Sequence, residues 1–155
     1  MDIRTFKKII NDILVPYGFK KTGTNSWIRK GDEISTKVYL QKSSYSCLYY
    51  FDYYYVINNM LTDRKGYNET IADINYSDFK LLHKMCDLEY DVSDEERTKT
   101  LQNIINQDLS CHKFIETEVE LKEMIIKRDW AEFIVLKEYL GINLSIGSGK
   151  KNRTM

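Results

Sequence analysis

The stretch SCLYYFDYYYVIN, Ser46 to Asn58, places six tyrosines and phenylalanines in a run of seven residues, interrupted only by Asp52. Aromatic and β-branched residues favour strands, and a strand sends successive side chains to opposite faces. Tyr49, Phe51, Tyr53, Tyr55 and Ile57 therefore share the expected core face, while Tyr50, Asp52, Tyr54, Val56 and Asn58 share the other. An antiparallel sheet with helices on one side leaves its second face wet, and there Tyr50 and Tyr54 would flank the Asp52 carboxylate. Tyrosine suits such a position because its ring packs across strands while its hydroxyl meets water or a polar partner. Strand propensity alone accounts for the run; a tyrosine-rich binding face is the functional alternative.

Before this strand, Ile3, Phe6, Ile9, Ile10, Ile13 and Leu14 recur at three- and four-residue steps behind Asp2, the pattern of an N-capped amphipathic helix. Pro16 and Gly18 end it. Residues 26–29 and 33–42 read as two strands joined through Lys30, Gly31 and Asp32, a hairpin. After the aromatic strand, turn residues dominate, and short strands are expected at 70–75 and 82–90. From Ser93 the period becomes helical. The capping pattern S-x-x-E, Ser93 with Glu96, opens a helix carrying Leu101, Ile104, Ile105 and Leu109. Thr117 with Glu120 opens another, carrying Val119, Leu121, Met124, Ile125 and Ile126, and a last helix from Asp129 should stop at Gly141. The expected architecture is an α+β fold, an antiparallel sheet of four to six strands with the N-terminal helix and the C-terminal helices packed on it. One domain over 1–144 is followed by a mobile tail, 145–155, without apolar repeat.

A chain of 155 residues, 43% hydrophobic and 30% charged, is long enough for one core and unlike disordered or membrane sequences. No run of about 20 apolar residues is present, so no membrane partner is expected. Cys47, Cys86 and Cys111 are odd in number and widely spaced, which suits reduced thiols in a cytoplasm better than a disulfide framework. Zero net charge conceals an asymmetry: residues 1–42 balance at +5, residues 69–140 at −8 and residues 141–155 at +3. The densest acidic stretch is DLEYDVSDEE, in which Asp87, Glu89, Asp91, Asp94, Glu95 and Glu96 gather six carboxylates within ten residues. Such a stretch is either a solvated face or a surface for a basic partner.

Few residues offer chemistry. His83 with Cys86 and Cys111 with His112 supply soft ligands, but adjacent Cys111 and His112 would diverge on a helix and no C-x-x-C occurs, so no metal is expected. The same residues make a poor cysteine–histidine nucleophile, lacking an orienting third group. The segment IGSGKKN, 146–152, fails the phosphate-loop pattern, with Leu144 and Lys151 where glycine and a hydroxyl residue are required, and no cofactor is expected. Asp52, Asp73 and Glu89 lie on or near expected strands and could pair for acid–base work, as carboxylates in many soluble domains could. Lys20, Lys21, Arg29, Lys30, Lys37 and Lys42 beside an aromatic sheet suggest single-strand binders, but no glycine–aromatic signature accompanies them, so nucleic acid is not the expected partner.

The segment PYGFKKTGTNSWIRKGDE, with Gly18, Phe19, Lys20, Trp27 and Arg29, and then LQKSSYS, with Gln41, Lys42 and Ser43, resemble a bacterial family, domain of unknown function 4304. The resemblance covers the first 58 residues, and the helical second half follows it only loosely. Where the family's pattern has Asn-x-Gly, this chain has Asp52, Tyr53 and Tyr54. The resemblance brings no activity with it, but domains of this size and style are similar to immunity proteins that neutralise bacterial toxins. The expected function is thus non-enzymatic: a cytosolic binding protein with a protein partner, a toxin, engaged through the acidic surface of Asp87, Glu89, Asp91, Asp94, Glu95 and Glu96 or through the aromatic face of Tyr50, Asp52 and Tyr54. The alternative is a small-molecule or nucleotide site, or a hydrolase, on the sheet face of Tyr50, Asp52 and Tyr54.

Overall fold

The structure, a computed structural model, describes residues 1–58, 69–70, 76–111 and 114–128. Helix α1, Ile3–Leu14, begins where the Asp2 carboxylate accepts from the amides of Arg4 and Thr5 at 2.9 and 3.1 Å. The Thr5 hydroxyl bonds the same carboxyl, which is held below its usual range. Phe6, Ile10, Ile13 and Leu14 are buried, as their spacing requires, while Lys8 turns outward and pairs with Asp12. The helix passes into a 3-10 turn, Val15–Tyr17, and stops at Gly18, whose φ of +88° lies in the left-handed region open to glycine.

The sheet is a five-stranded antiparallel meander: β1 Lys20–Lys21, β2 Ser26–Arg29, β3 Ile34–Lys42, β4 Tyr49–Ile57 and β5 Glu69–Thr70, paired in chain order. The aromatic stretch is β4, placed with Val38 opposite Tyr53, Leu40 opposite Phe51 and Tyr39 opposite Asp52. Tyr49, Phe51, Tyr53, Tyr55 and Ile57 are all buried, so the expected register holds. Burial pushes the Tyr53 phenol well above its ordinary range, and neighbouring Asp108 adds to the shift.

Gly31 in the β2–β3 turn is required by close approach: a Cβ there would overlap the Ile34 carbonyl oxygen and press on Glu116 at 3.2 Å. Asn58 ties the same turn to the end of β4, donating from Nδ2 to the carbonyls of Gly31 and Asp32 and accepting from the Ser35 hydroxyl at 2.7 Å. The Glu116 carbonyl in turn receives the amides of Glu33 and Ile34.

Helices α2, Tyr76–Met85, and α3, Asp94–Cys111, complete the described core with α1. Leu101, Ile104, Ile105 and Leu109 from α3 belong to the same buried cluster as the sheet residues Trp27, Val38, Leu40 and Phe51. Trp27 Nε1 donates to Asn11 Oδ1 of α1 at 3.0 Å, so the largest core ring keeps its polar atom satisfied. Helix α4, Glu118–Arg128, starts with the full capping box: Glu120 N donates to Thr117 Oγ1, and Glu120 Oε2 receives the amides of Glu116 and Thr117.

Two expectations need correction, and a third is met as far as it is described. Residues 82–90 are not a strand: Leu82, Met85 and Cys86 stand at helical steps, are buried on one side of α2 and its end, and leave only a single bridge, Leu48 to Asp87, as sheet pairing. The strand expected at 70–75 is found as Glu69–Thr70, with 71–75 outside the described residues. On α4, Leu121 is buried, but Val119 and Ile126 are more than half exposed, so the full apolar stripe does not face the core. The helix from Asp129 and the tail also lie outside the described residues. Among the described residues no helix is long and apolar enough to cross a membrane.

Candidate functional site

Two groups of expected site residues, far apart in purpose, turn out to adjoin one another. The free edge at the start of β4 is capped by the end of α2: Tyr49 N donates to Cys86 O at 3.0 Å, and Leu88 N donates to Cys47 O at 3.1 Å around the Leu48–Asp87 bridge. The acidic stretch therefore leaves directly from the edge of the aromatic strand.

The connection between α2 and α3 is built around one side chain. Arg97 is fully buried, and its guanidinium donates from Nη1 to the carbonyls of Met85 and Asp87 and from Nη2 to that of Tyr90, each at 2.7 Å. A planar guanidinium with fixed donors suits several carbonyls held at set angles. With those carbonyls turned inward, the acidic side chains turn out: Glu89 and Asp91 on the loop and Asp94, Glu95 and Glu96 at the start of α3 are exposed, and Asp87 is half-buried. Asp87 Oδ1 accepts from the Glu89 amide at 3.0 Å, which folds the turn on itself. The Ser93 hydroxyl accepts from Glu96 N at 3.1 Å, confirming the cap, and Asp94, Glu95 and Glu96 occupy the first turn of α3, where negative charge is favoured. Asp94 also lies 3.7 Å from the N-terminal ammonium.

Sequence reasoning missed Arg97 although the signal was present. It stands four residues before Leu101, on the same stripe as Ile104, Ile105 and Leu109, and helical spacing alone puts it on the buried face.

On the second face of β4, Tyr50 is 39% exposed and Asp52 half-buried, and the Tyr54 side chain lies outside the described residues. This face is not simply wet, because α2 runs along the strand edge and brings Phe79 and His83 beside it. The His83 ring stands 5.5 Å from that of Tyr50 and 6.2 Å from that of Phe79. Tyr50, Asp52, Phe79 and His83, with Tyr49, Phe51, Leu82 and Cys86 behind them, line a notch of ≈ 40 Å³. Phe79 is not singled out in the sequence, and His83 counts there only as a soft ligand on a strand expected at 82–90; their four-residue spacing is a face of α2.

The remaining candidates are dispersed. Cys86 is buried and lines the notch, and burial pushes its thiol up to about 12, against the smaller opposing effect of Arg97, so it is protonated near neutrality. Cys47 is exposed. The Cys111 side chain, His112 and Asp73 lie outside the described residues, as does 146–152. Among the described residues no three histidine, cysteine or acidic side chains are placed to hold a metal. Glu89 lies on the α2–α3 loop rather than a strand, so it makes no carboxylate pair with Asp52 across the sheet. The basic residues divide too: Arg29 is committed to Glu116 at 2.9 Å and to the Phe114 ring, whereas Lys37 lies over the Tyr39 ring on the second face.

The family described as Domain of unknown function (DUF4304) matches residues 10–125. The match runs through β4, α2 and α3 and well beyond the first 58 residues, so the helical half follows the family too. Comparison with curated proteins and with solved structures returned no match.

Proposed function

For a chain that belongs to the DUF4304 family, a domain of unknown function, we propose a role without catalysis: it binds a protein, as an immunity protein that covers the basic surface of a toxin. The observation that carries this reading is the α2–α3 loop with the first turn of α3, where Arg97 takes up three inward carbonyls and five acidic side chains, two on the loop and three on the helix, face solvent. A rigid array of like charge speeds the encounter with a basic partner more than it tightens the final complex. The loop backbone that carries them is held by Arg97, so little backbone ordering accompanies binding. A cytosolic location would suit this role and its free thiols.

A second reading, a small-ligand site or hydrolase at Asp52, is favoured by the notch beside that carboxylate. Its ≈ 40 Å³ is far below the roughly 300–1,000 Å³ of ordinary ligand pockets, which argues for the first reading.

The test is a pull-down from the native strain followed by association kinetics with the captured toxin. Glu89→Lys/Asp91→Lys reverses two loop carboxylates that lie outside the first turn of α3. The variant should keep its melting temperature, associate about tenfold more slowly at low salt and lose most of its salt dependence. An unchanged association rate would refute the acidic-surface reading.

A further inference from the structure

We propose that the notch between Tyr50, Asp52, Phe79 and His83 is an anchor pocket that takes the guanidinium of an arginine from the partner protein. The inference rests on the protein-binding reading above and assigns it a specific contact. Size comes first: a cavity of about 10–15 Å³ holds one water, so ≈ 40 Å³ admits the planar end of a side chain and excludes a nucleotide. Chemistry comes next. The His83 ring adjoins those of Tyr50 and Phe79, 5.5 and 6.2 Å between centroids, and all three line the notch; a cation is attracted to tyrosine and phenylalanine faces within about 6 Å. Tyr50 and Phe79 are 39% and 43% exposed, so an incoming group reaches both.

Asp52 supplies the charge. It lines the same notch, where an incoming guanidinium would share its carboxylate with the contacts it already makes. The walls are otherwise Tyr49, Phe51, Leu82 and the neutral Cys86 thiol, an apolar lining. That lining selects arginine over lysine: a guanidinium is weakly hydrated and stacks on rings, whereas an ammonium needs its three donors satisfied by groups the notch does not offer. The surrounding field agrees, because the Leu48–Asp87 bridge sets the acidic loop at the same strand edge. Carboxylates on the loop would attract a basic surface, and the notch would hold one residue of it, the arrangement expected of a buried arginine hot spot inside a charged rim.

The experiment is an NMR titration of the full chain at pH 7.5 with N-acetyl-arginine methylamide, and with the citrulline analogue as a neutral control of nearly the same shape. The arginine compound should move the amide signals of Tyr50, Asp52, Phe79 and His83 saturably, with a Kd of ~1–10 mM. The citrulline compound should bind at least about tenfold more weakly, and Asp52→Asn should reduce arginine binding by a similar factor. Phe79→Ala should weaken it about threefold without altering the spectrum elsewhere. Equal binding of citrulline, equal or tighter binding of the lysine analogue, or shifts confined to other regions would overturn the proposal. The wild-type comparison of arginine with citrulline decides the matter even if a variant fails to fold. Failure here with slowed association in the Glu89→Lys/Asp91→Lys variant would remove the notch and keep the acidic surface; the converse result would do the reverse.

Discussion

Nη1 of Arg97 donates to the carbonyl oxygen of Asp87 at 2.7 Å, across ten residues of chain and inside the protein. A charge is thereby buried without a carboxylate partner, although carboxylates lie on both sides of it in sequence. The dipoles of three carbonyls stabilise the guanidinium, and the acids are left for the surface. Replacing Arg97 with methionine keeps the side-chain length but removes the donor from the carbonyls of Met85 and Tyr90 and leaves Asp87 O with the Tyr90 amide at 3.1 Å. Because an unsatisfied buried acceptor costs about 1–3 kcal/mol, Arg97→Met should lose at least ~2 kcal/mol in chemical denaturation. Arg97→Lys should recover only part of that, since one ammonium cannot match the spread of two guanidinium nitrogens.

The register of β4 predicts opposite consequences for neighbouring aromatic residues. Phe51→Ala and Tyr53→Ala remove buried rings and should each cost about 3–5 kcal/mol. Tyr50→Ala, on the second face, should cost less than ~1.5 kcal/mol. Urea unfolding of the three variants measures the ranking, and a reversed order would mean a strand shifted by one residue.

Gly31→Ala should destabilise the fold by about 1–3 kcal/mol, because the new methyl group meets backbone at Ile34 and Glu116 rather than a movable side chain. The effect should extend to α4, whose start is bound to β3 through the Glu116 carbonyl. Hydrogen exchange at Glu33, Ile34 and Glu120 would report that coupling.

Cys86 makes stability depend on alkaline pH. Its thiol is pushed from an ordinary value of 9.0 to about 12 in the folded protein, so above pH 9 the unfolded chain releases a proton that the folded one retains. The folded state then binds more protons, and its stability should fall as pH rises from about 9 to about 12. Tyr53, also raised, acts in the same direction. Cys86→Val should flatten the decline without abolishing it. Native-state alkylation mapped by mass spectrometry should mark Cys47 and spare Cys86 until denaturant is added.

Much of the fold was legible in one dimension because local periodicity and capping are short-range properties. The alternation around Asp52 assigned both faces of β4, the three- and four-residue spacing of Ile10, Ile13 and Leu14 identified α1, and Ser93 and Thr117 marked the starts of α3 and α4. Residues 82–90 were misread because an apolar pair beside a run of polar residues fits either period over so short a length. What the chain could not disclose by itself was adjacency. Asp87 meets Leu48 through a single bridge, His83 reaches Tyr50 around a strand edge, and Arg97 collects carbonyls from residues seven to twelve positions earlier. These contacts depend on how α2 docks against β4, a matter of shape and of polar groups satisfied across the core, so the acidic loop and the aromatic notch became one surface only when the chain was folded.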